Sequence, residues 1–290
     1  MKRSPDTVRP VVIVGAARSG TKFVRDVLAA SPGTSVVPYD VNYLWRTGNE
    51  SWPDDCLPPE CCSPRVALGI RRSLVHAAEI RAGGDGGILL EKTVSNCLRV
   101  PFVNAVLPDA RFVHLVRDGR DVVESAMRMW TAPPQTDYLL AKLRSFPIGN
   151  ARYALKYAWN MAAGRLGPGR GQKVWGPRYR GIDSDAEQLD LLTVCARQWD
   201  ACVTAALDGL SRLDADRVVM VRYEEFATSP DVVADLAARL GLPGVDEVIA
   251  EHRAVSRSDT IQSGRRLPAL QQARIEDLIG SALVRLGYSS

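Results

Sequence analysis

The stretch from Val11 to Leu28 constrains this chain more than any other. Val11-Val12-Ile13-Val14 is an unbroken β-branched run. The turn Gly15-Ala16-Ala17-Arg18-Ser19-Gly20 follows, and then an amphipathic helix opens at Thr21. This is the strand–loop–helix shape of a phosphate-binding site. Main-chain N–H groups of the turn and of the first helical turn point outward together, and the helix dipole adds partial positive charge. Gly15 and Gly20 let the backbone bend tightly and approach an anion. Arg18 and Lys22 bring full charges to the same place.

The spacing narrows the choice of anion. A Walker A loop reads G-x-x-x-x-G-K-[ST], with Lys directly after the second Gly. Gly15 and Gly20 have that spacing, but Thr21 follows Gly20 and Lys22 comes one position later. That shift rotates the ammonium by about 100° around the helix. The GxGxxG dinucleotide pattern is absent as well. Arg18-Ser19-Gly20-Thr21 instead resembles the 5′-phosphosulfate loop of sulfotransferases that use 3′-phosphoadenosine 5′-phosphosulfate (PAPS). Taken alone, the stretch also fits another P-loop-like anion site.

A chain of 290 residues is long enough for one large α/β domain with a buried core. The apolar fraction of 46% and charged fraction of 24% are those of an ordinary globule. Of 37 basic residues 6 are Lys and the rest Arg, yet the net charge is only +4. No basic run is interleaved with aromatics, so nucleic acid is not expected as a partner. Met1 to Pro10 is polar, and the apolar run after it is too short for a signal peptide. No stretch reaches the length of a membrane span. A cytoplasmic location is therefore expected. Cys56, Cys61, Cys62, Cys97, Cys195 and Cys202 include no CxxC pair, so neither zinc nor a redox dithiol is indicated. Cys195 and Cys202 read as core filler on one helix.

Along the chain, short apolar strands alternate with helices. Strands are expected at Ser35–Val37, Ile88–Leu90, Phe112–Val116 and Arg217–Val221. Helices are expected at Arg65–Arg81, Leu98–Leu107, Asp121–Trp130, Ala186–Gly209, Asp231–Leu240 and Pro268–Leu286. Continuous apolar strands in such an alternation mean a parallel sheet covered on both faces, an α/β fold of three layers. Thr131 to Asp185 breaks the alternation with Gly, Arg and aromatic residues. It is expected to be an inserted lid or binding element (131–185) in a single domain spanning 1–290.

A second signal lies at Val116-Arg117-Asp118-Gly119-Arg120-Asp121-Val122-Val123-Glu124-Ser125. A strand again runs into a turn and a helix, and Arg117 sits at the strand's carboxyl end, where open α/β sheets bind ligands. In the PAPS sulfotransferases an Arg and a Ser at this spacing hold the donor's 3′-phosphate. A dianion suits a guanidinium fork plus a short hydroxyl donor. Three further segments resemble the family. Val221-Arg222-Tyr223-Glu224-Glu225-Phe226 through Leu240-Gly241-Leu242-Pro243 matches its late strand–helix segment. Ser263-Gly264-Arg265-Arg266 matches its C-terminal nucleotide loop, and Glu91-Lys92-Thr93 the Glu-Lys-[Ser/Thr] of heparan sulfate sulfotransferases. The C-terminal loop lacks the Gly-x-x-Gly-x-x-Lys form of cytosolic arylsulfotransferases. The chain is thus more similar to the bacterial, tyrosylprotein and carbohydrate branch.

The resemblance implies a P-loop-like fold and in-line transfer of a sulfuryl group from PAPS to an acceptor hydroxyl, less so an amine. It implies a donor site of Arg18, Ser19, Gly20, Thr21, Lys22, Phe23, Arg117, Ser125, Tyr223, Ser263, Gly264, Arg265 and Arg266. A fixed cation at the leaving oxygen helps most in the transition state. Arg18 and Lys92 are the candidates, and no metal is expected. For the base, Asp40 follows the second strand, where tyrosylprotein and 3-O sulfotransferases carry a Glu. Glu91 is its rival, and it equally fits a structural partner of Lys92. His114, inside an apolar strand, reads as a core histidine. Tyr39, Asn42, Tyr43, Trp45 and Arg46 cluster beside Asp40 and suit stacking on a carbohydrate or other ring, or simply a packed, irregular connection. Two other functions stay open at this level: a P-loop small-molecule kinase using ATP and magnesium, and a non-catalytic nucleotide-binding relative.

Overall fold

The computed structural model describes residues 8–80, 87–132, 174–255 and 267–288. Six strands form one sheet in the order β3-β2-β4-β1-β5-β6. They are β1 (Arg9–Val14), β2 (Thr34–Val36), β3 (Glu79–Ile80), β4 (Ile88–Glu91), β5 (Arg111–Val116) and β6 (Val218–Arg222). β1 lies at the centre, parallel to β4 on one side and to β5 on the other. β2, β4, β1, β5 and β6 are mutually parallel. The short β3 pairs antiparallel with β2 at one edge, an addition to the all-parallel sheet expected from the sequence.

The β-branched strands alternate faces although their sequences do not alternate in polarity. Val12 and Val14 of β1 enter one core with Leu89 of β4 and Phe112 of β5. Val11 and Ile13 enter the other with Leu90, Val113 and Leu115. Both faces are apolar because both are covered by helices. The first core is completed by residues of α3 (Pro64–Ala77), α4 (Val100–Val106), α5 (Gly119–Thr131), α7 (Leu191–Leu210) and α11 (Ala269–Arg285). The second is completed by α1 (Thr21–Leu28), α8 (Tyr223–Thr228), α9 (Pro230–Leu240) and α10 (Val245–Val255). The three layers expected from the sequence are therefore present.

One expected helix is divided. Ala186–Gly209 reads as a single helix, but α6 (Ile182–Gln188) ends at an extended Leu189 and α7 starts afresh at Leu191. Asp190 causes the restart: its carboxylate accepts from the Thr193 N–H at 3.2 Å and caps α7. Of the segment 131–185, residues 133–173 lie outside the described residues. His114 is buried in β5, and burial pushes its pKa down to about 4, the behaviour of a neutral core histidine.

Candidate functional site

Five parallel strands deliver their carboxyl ends to one edge of the sheet. β2 leads to Asp40, β4 ends at Glu91 and Lys92, and β1 opens into the loop 15–20. β5 leads to Arg117 and β6 to Tyr223. The spatial strand order sets these residues in a row, with the β1 loop at the centre. Ligands bind at this edge of open α/β sheets.

The β1 loop is held under strain. Arg18 has φ 75°, the one non-glycine in the left-handed region among the described residues. Such a residue costs roughly 1–2 kcal/mol and persists only where its surroundings enforce it. Here the Arg18 Nε donates to Ser125 Oγ at 3.0 Å, and Arg117 Nη1 donates to the Arg18 carbonyl at 3.5 Å. Gly20, at φ 92°, caps α1 and lies against the Tyr223 ring. A Cβ at Gly20 would come within 2.3 Å of that ring, and one at Gly15 within 2.7 Å of the Leu115 carbonyl. Both glycines are therefore required by close approach. Arg117 in turn stacks on Tyr223, with its Cζ 4.4 Å from the ring centroid, and pairs with Asp121 at 3.2 Å.

The structure thus brings together Arg18, Gly20, Arg117, Ser125 and Tyr223 in one cluster. Ser19 and Thr21 are buried beneath the loop. Lys22 is not part of the cluster. It is 76% exposed and turned down α1 to Asp26 at 2.6 Å. Phe23 packs edge-on against Tyr223 and Phe226 and forms part of the floor. Ser263, Gly264, Arg265 and Arg266 lie outside the described residues.

One basic residue escaped the sequence reading. Arg128, one helical turn after Ser125 on α5, joins Arg117 in acting on Arg18. Burial pushes the Arg18 pKa down, and the positive charges of Arg117 and Arg128 push it down further. Arg117 is paired with Asp121 and Arg128 with Glu124 at 2.6 Å, whereas Arg18 donates to the neutral Ser125 hydroxyl, an arrangement that suits an anion at Arg18. The spacing of Arg128 from Ser125, three positions along a helix, is the signal that could have found it.

The other end of the row holds a carboxylate–ammonium pair. Lys92 Nζ meets Asp40 Oδ2 at 2.7 Å, and the Val94 N–H donates to Asp40 Oδ1 at 2.8 Å. The Lys92 side chain is 8% exposed and that of Asp40 29%. Glu91, by contrast, is wholly enclosed. Its Oε1 accepts from Trp45 Nε1 at 3.0 Å and from Thr93 Oγ1 at 2.5 Å, and its Oε2 accepts from Asn96 Nδ2 at 2.9 Å. Burial pushes the Glu91 pKa up, while the Thr93 and Trp45 hydrogen bonds oppose the rise. Thr93 also accepts from the Val41 N–H at 3.2 Å, so this buried network binds the β2 and β4 ends together.

The expected acceptor cluster beside Asp40 is mostly packed. Trp45, Arg46 and Tyr43 are buried, while Tyr39 and Asn42 are half-buried. The apolar sequence around Tyr43 to Trp45 feeds the core, and the Trp45 N–H is satisfied by Glu91. Arg46 pairs with the buried Asp55 at 3.0 Å. Asp55 also accepts from Asn42 at 2.9 Å, two residues after Asp40, and from Ser95 at 2.8 Å, next to the Val94 whose N–H holds Asp40. Burial alone would raise the Asp55 pKa, but Arg99 and these hydrogen bonds hold it below the usual carboxylate value. Its backbone N–H donates to the Arg178 carbonyl at 2.8 Å, and the Arg178 N–H donates back to its Oδ2 at 2.9 Å. Asp55 therefore anchors the exit of the inserted segment beside Asp40.

Residues 10–174 match the model of the sulfotransferase family. The chain belongs to that family. Among solved structures, sulfotransferase STF9 from Mycobacterium avium shares the fold at 13% identity, covering 96% of this chain and 77% of that one, with a TM-score of 0.53. The sulfotransferase domain of the Synechococcus PCC 7002 olefin synthase is 16% identical, covers 97% and 98% of the two chains, and gives a TM-score of 0.49. Mouse SULT7A1, solved with 3′-phosphoadenosine 5′-phosphate (PAP), is 12% identical over 98% of this chain and 86% of that one, with a TM-score of 0.45. No curated protein matches the sequence. In this sulfotransferase no described helix is long and apolar enough to cross a membrane. No described group of three or more His, Cys, Asp or Glu side chains is arranged to hold a metal ion.

Proposed function

We propose that this sulfotransferase moves a sulfuryl group from PAPS to a hydroxyl of a carbohydrate or other small-molecule acceptor. The observation that carries the reading is the Arg18–Ser125 hydrogen bond of 3.0 Å. It joins the loop suited to a 5′-phosphosulfate to the helix suited to a 3′-phosphate. Arg117, at the end of β5, bonds to the Arg18 carbonyl and brings a further guanidinium beside that junction. The donor chemistry of the cluster fits such a nucleotide: guanidinium forks, a short hydroxyl and the N–H groups of a glycine-containing loop at a helix start.

The donor supplies the sulfuryl group. Its bond to the bridging phosphate oxygen breaks as a new bond to the acceptor oxygen forms. The electron pair stays on the 5′-phosphate of PAP, near Arg18 and Lys92, which stabilise the growing charge. The acceptor proton passes to Asp40. Asp40 keeps an exposed face, whereas Glu91 is enclosed with every oxygen engaged. Glu91 therefore holds the turn that carries Lys92. Tyr39 and Asn42, the half-buried members of the neighbouring cluster, line the acceptor side.

A magnesium-dependent kinase needs its P-loop lysine over the phosphates. Lys22 runs the opposite way, to Asp26. Calorimetry of the full chain with PAP, and separately with ATP and magnesium, tests the reading. PAP binding with weak ATP–magnesium binding is expected, and the reverse overturns it. PAP binding without sulfuryl transfer across a panel of glycans, phenols and peptides indicates a non-catalytic relative.

A further inference from the structure

The turn that carries Arg117 is braced by the far end of the chain. Glu224, next to Tyr223 in the first turn of α8, accepts from the Asp118 N–H with Oε1 at 3.0 Å. That N–H belongs to the peptide joining Arg117 to Asp118, so the carboxylate sets the plane from which the Arg117 side chain departs. The second oxygen, Oε2, accepts from the Tyr288 hydroxyl at 2.8 Å. Tyr288 is itself secured. The Arg222 guanidinium lies over its ring, with Cζ 4.9 Å from the centroid. The same guanidinium donates to the Leu286 carbonyl at 2.8 Å. α11 makes a second link to the turn: Glu276 meets Arg120 at 3.0 Å, and Arg120 meets the Asp118 carboxylate at 2.8 Å.

Both hydrogen-bonding edges of Asp118, its N–H and its carboxylate, are therefore held by groups tied to α11 and its C-terminal end. A brace on one side alone would leave the turn free to pivot. Burial and the facing Glu224 carboxylate raise the Tyr288 pKa, which keeps its proton available to donate. A core contact would need only the ring of Tyr288, but here the hydroxyl is spent on a residue that grips the Arg117 peptide.

We propose that Glu224 and Tyr288 form a clasp that positions Arg117 for the 3′-phosphate of the donor nucleotide. The proposal rests on the PAPS reading above. Both are positioning residues, acting through the Arg117–Asp118 peptide. Their influence falls mainly on the 3′-phosphate: the Arg18 guanidinium is held by Ser125 and Gly20 lies against Tyr223, while Arg117 reaches the β1 loop through a long 3.5 Å bond to the Arg18 carbonyl.

The test is calorimetry on the full chain with two probes: PAP, and adenosine 5′-phosphate, which lacks the 3′-phosphate. Tyr288→Phe keeps the ring over Arg222 and removes only the hydroxyl. Its PAP Kd is expected to rise about fivefold, with the adenosine 5′-phosphate Kd unchanged. Glu224→Ala should weaken PAP at least as much. Glu224→Gln, which still accepts from Asp118 and can donate to the Tyr288 oxygen, should restore most of the affinity. Should Glu224→Ala fail to fold, Tyr288→Phe decides alone. Equal weakening of both probes, or an unaltered PAP Kd in Tyr288→Phe, overturns the clasp while leaving the donor assignment standing. Failure of the wild-type chain to bind PAP overturns the donor reading and the clasp with it.

Discussion

Arg18 and Ser125 stand 107 positions apart in the chain, yet the guanidinium Nε of one donates to the hydroxyl of the other at 3.0 Å. The bond steadies an arginine whose backbone is in the left-handed region. It also ties the β1 loop to α5. Ser125→Ala removes the acceptor without disturbing the helix. PAP affinity should fall about tenfold, a change of ~1.4 kcal/mol, with thermal stability nearly unchanged. Unaltered PAP binding by calorimetry would show that the bond serves only the fold.

The proposed role of Arg117 is tested with nucleotides that differ in their 3′-phosphate. Arg117→Ala removes a charge-assisted contact worth about 1.5–3 kcal/mol to PAP. Adenosine 5′-phosphosulfate, which lacks the 3′-phosphate, should bind nearly as before. Equal losses for the two ligands would make the Arg117–Tyr223 stack purely structural.

The two carboxylates near Lys92 have separable roles. Asp40→Asn keeps the shape and removes the proposed base, so turnover should drop by about 10²–10⁴-fold while PAP affinity holds. The acid limb of the pH–rate profile should vanish with it. Glu91→Gln places an amide N–H opposite the Asn96 donor that Glu91 now accepts from. The expected result is a stability loss of about 1–3 kcal/mol in urea unfolding, with a smaller drop in turnover than Asp40→Asn. Collapse of turnover in Glu91→Gln with Asp40→Asn active within a few-fold would reverse the roles.

Asp55 is shared as a counter-charge by Arg46 and Arg99 in the interior. Asp55→Asn leaves two buried guanidiniums without their counter-charge, which costs roughly 3–5 kcal/mol. Ser95→Ala removes one hydrogen bond from the same carboxylate and should cost only about 1 kcal/mol. Urea denaturation of the two variants side by side measures the difference.

His114 ties stability to pH. Its folded pKa is pushed down to about 4, below the unfolded value near 6.5. The unfolded chain therefore binds the proton first as pH falls. The stabilisation is fully present above about pH 6.5 and is lost as pH drops toward 4, by about 2 kcal/mol between pH 7 and pH 5. His114→Phe should flatten that part of the urea-derived stability profile. An equal slope in the variant would assign it to other groups.

Much of the fold could be read from residue order. Val11–Val14 and Phe112–Val116 are apolar on both faces, which calls for helices on both sides of a parallel sheet, and Val12 and Ile13 do enter cores on opposite faces. The tight turn after β1 was legible because Gly15, Arg18, Gly20 and Thr21 sit within seven residues, where local geometry decides what each can touch. The break at Asp190 was missed because the capping carboxylate lies inside an otherwise helical pattern.

What the sequence by itself determined was the sheet, the phosphate-type loop and the residue types available at each strand end. Tertiary structure alone decided how those residues are employed. Lys22 and Arg18 are both cations beside Gly20, but one is drawn off by Asp26 a helical turn away and the other is held by Ser125 on a distant helix. Asp40 and Glu91 are both carboxylates beside Lys92, but the pleat of β4 turns Glu91 inward onto Trp45, Thr93 and Asn96 and leaves Asp40 at the rim. Asp55 meets Arg178, and Glu224 meets Asp118 and Tyr288, only when elements far apart in the chain pack together. The physical reason is range: strand patterning and loop turns arise from neighbours a few residues away, whereas burial and charge pairing depend on whatever the fold brings into contact.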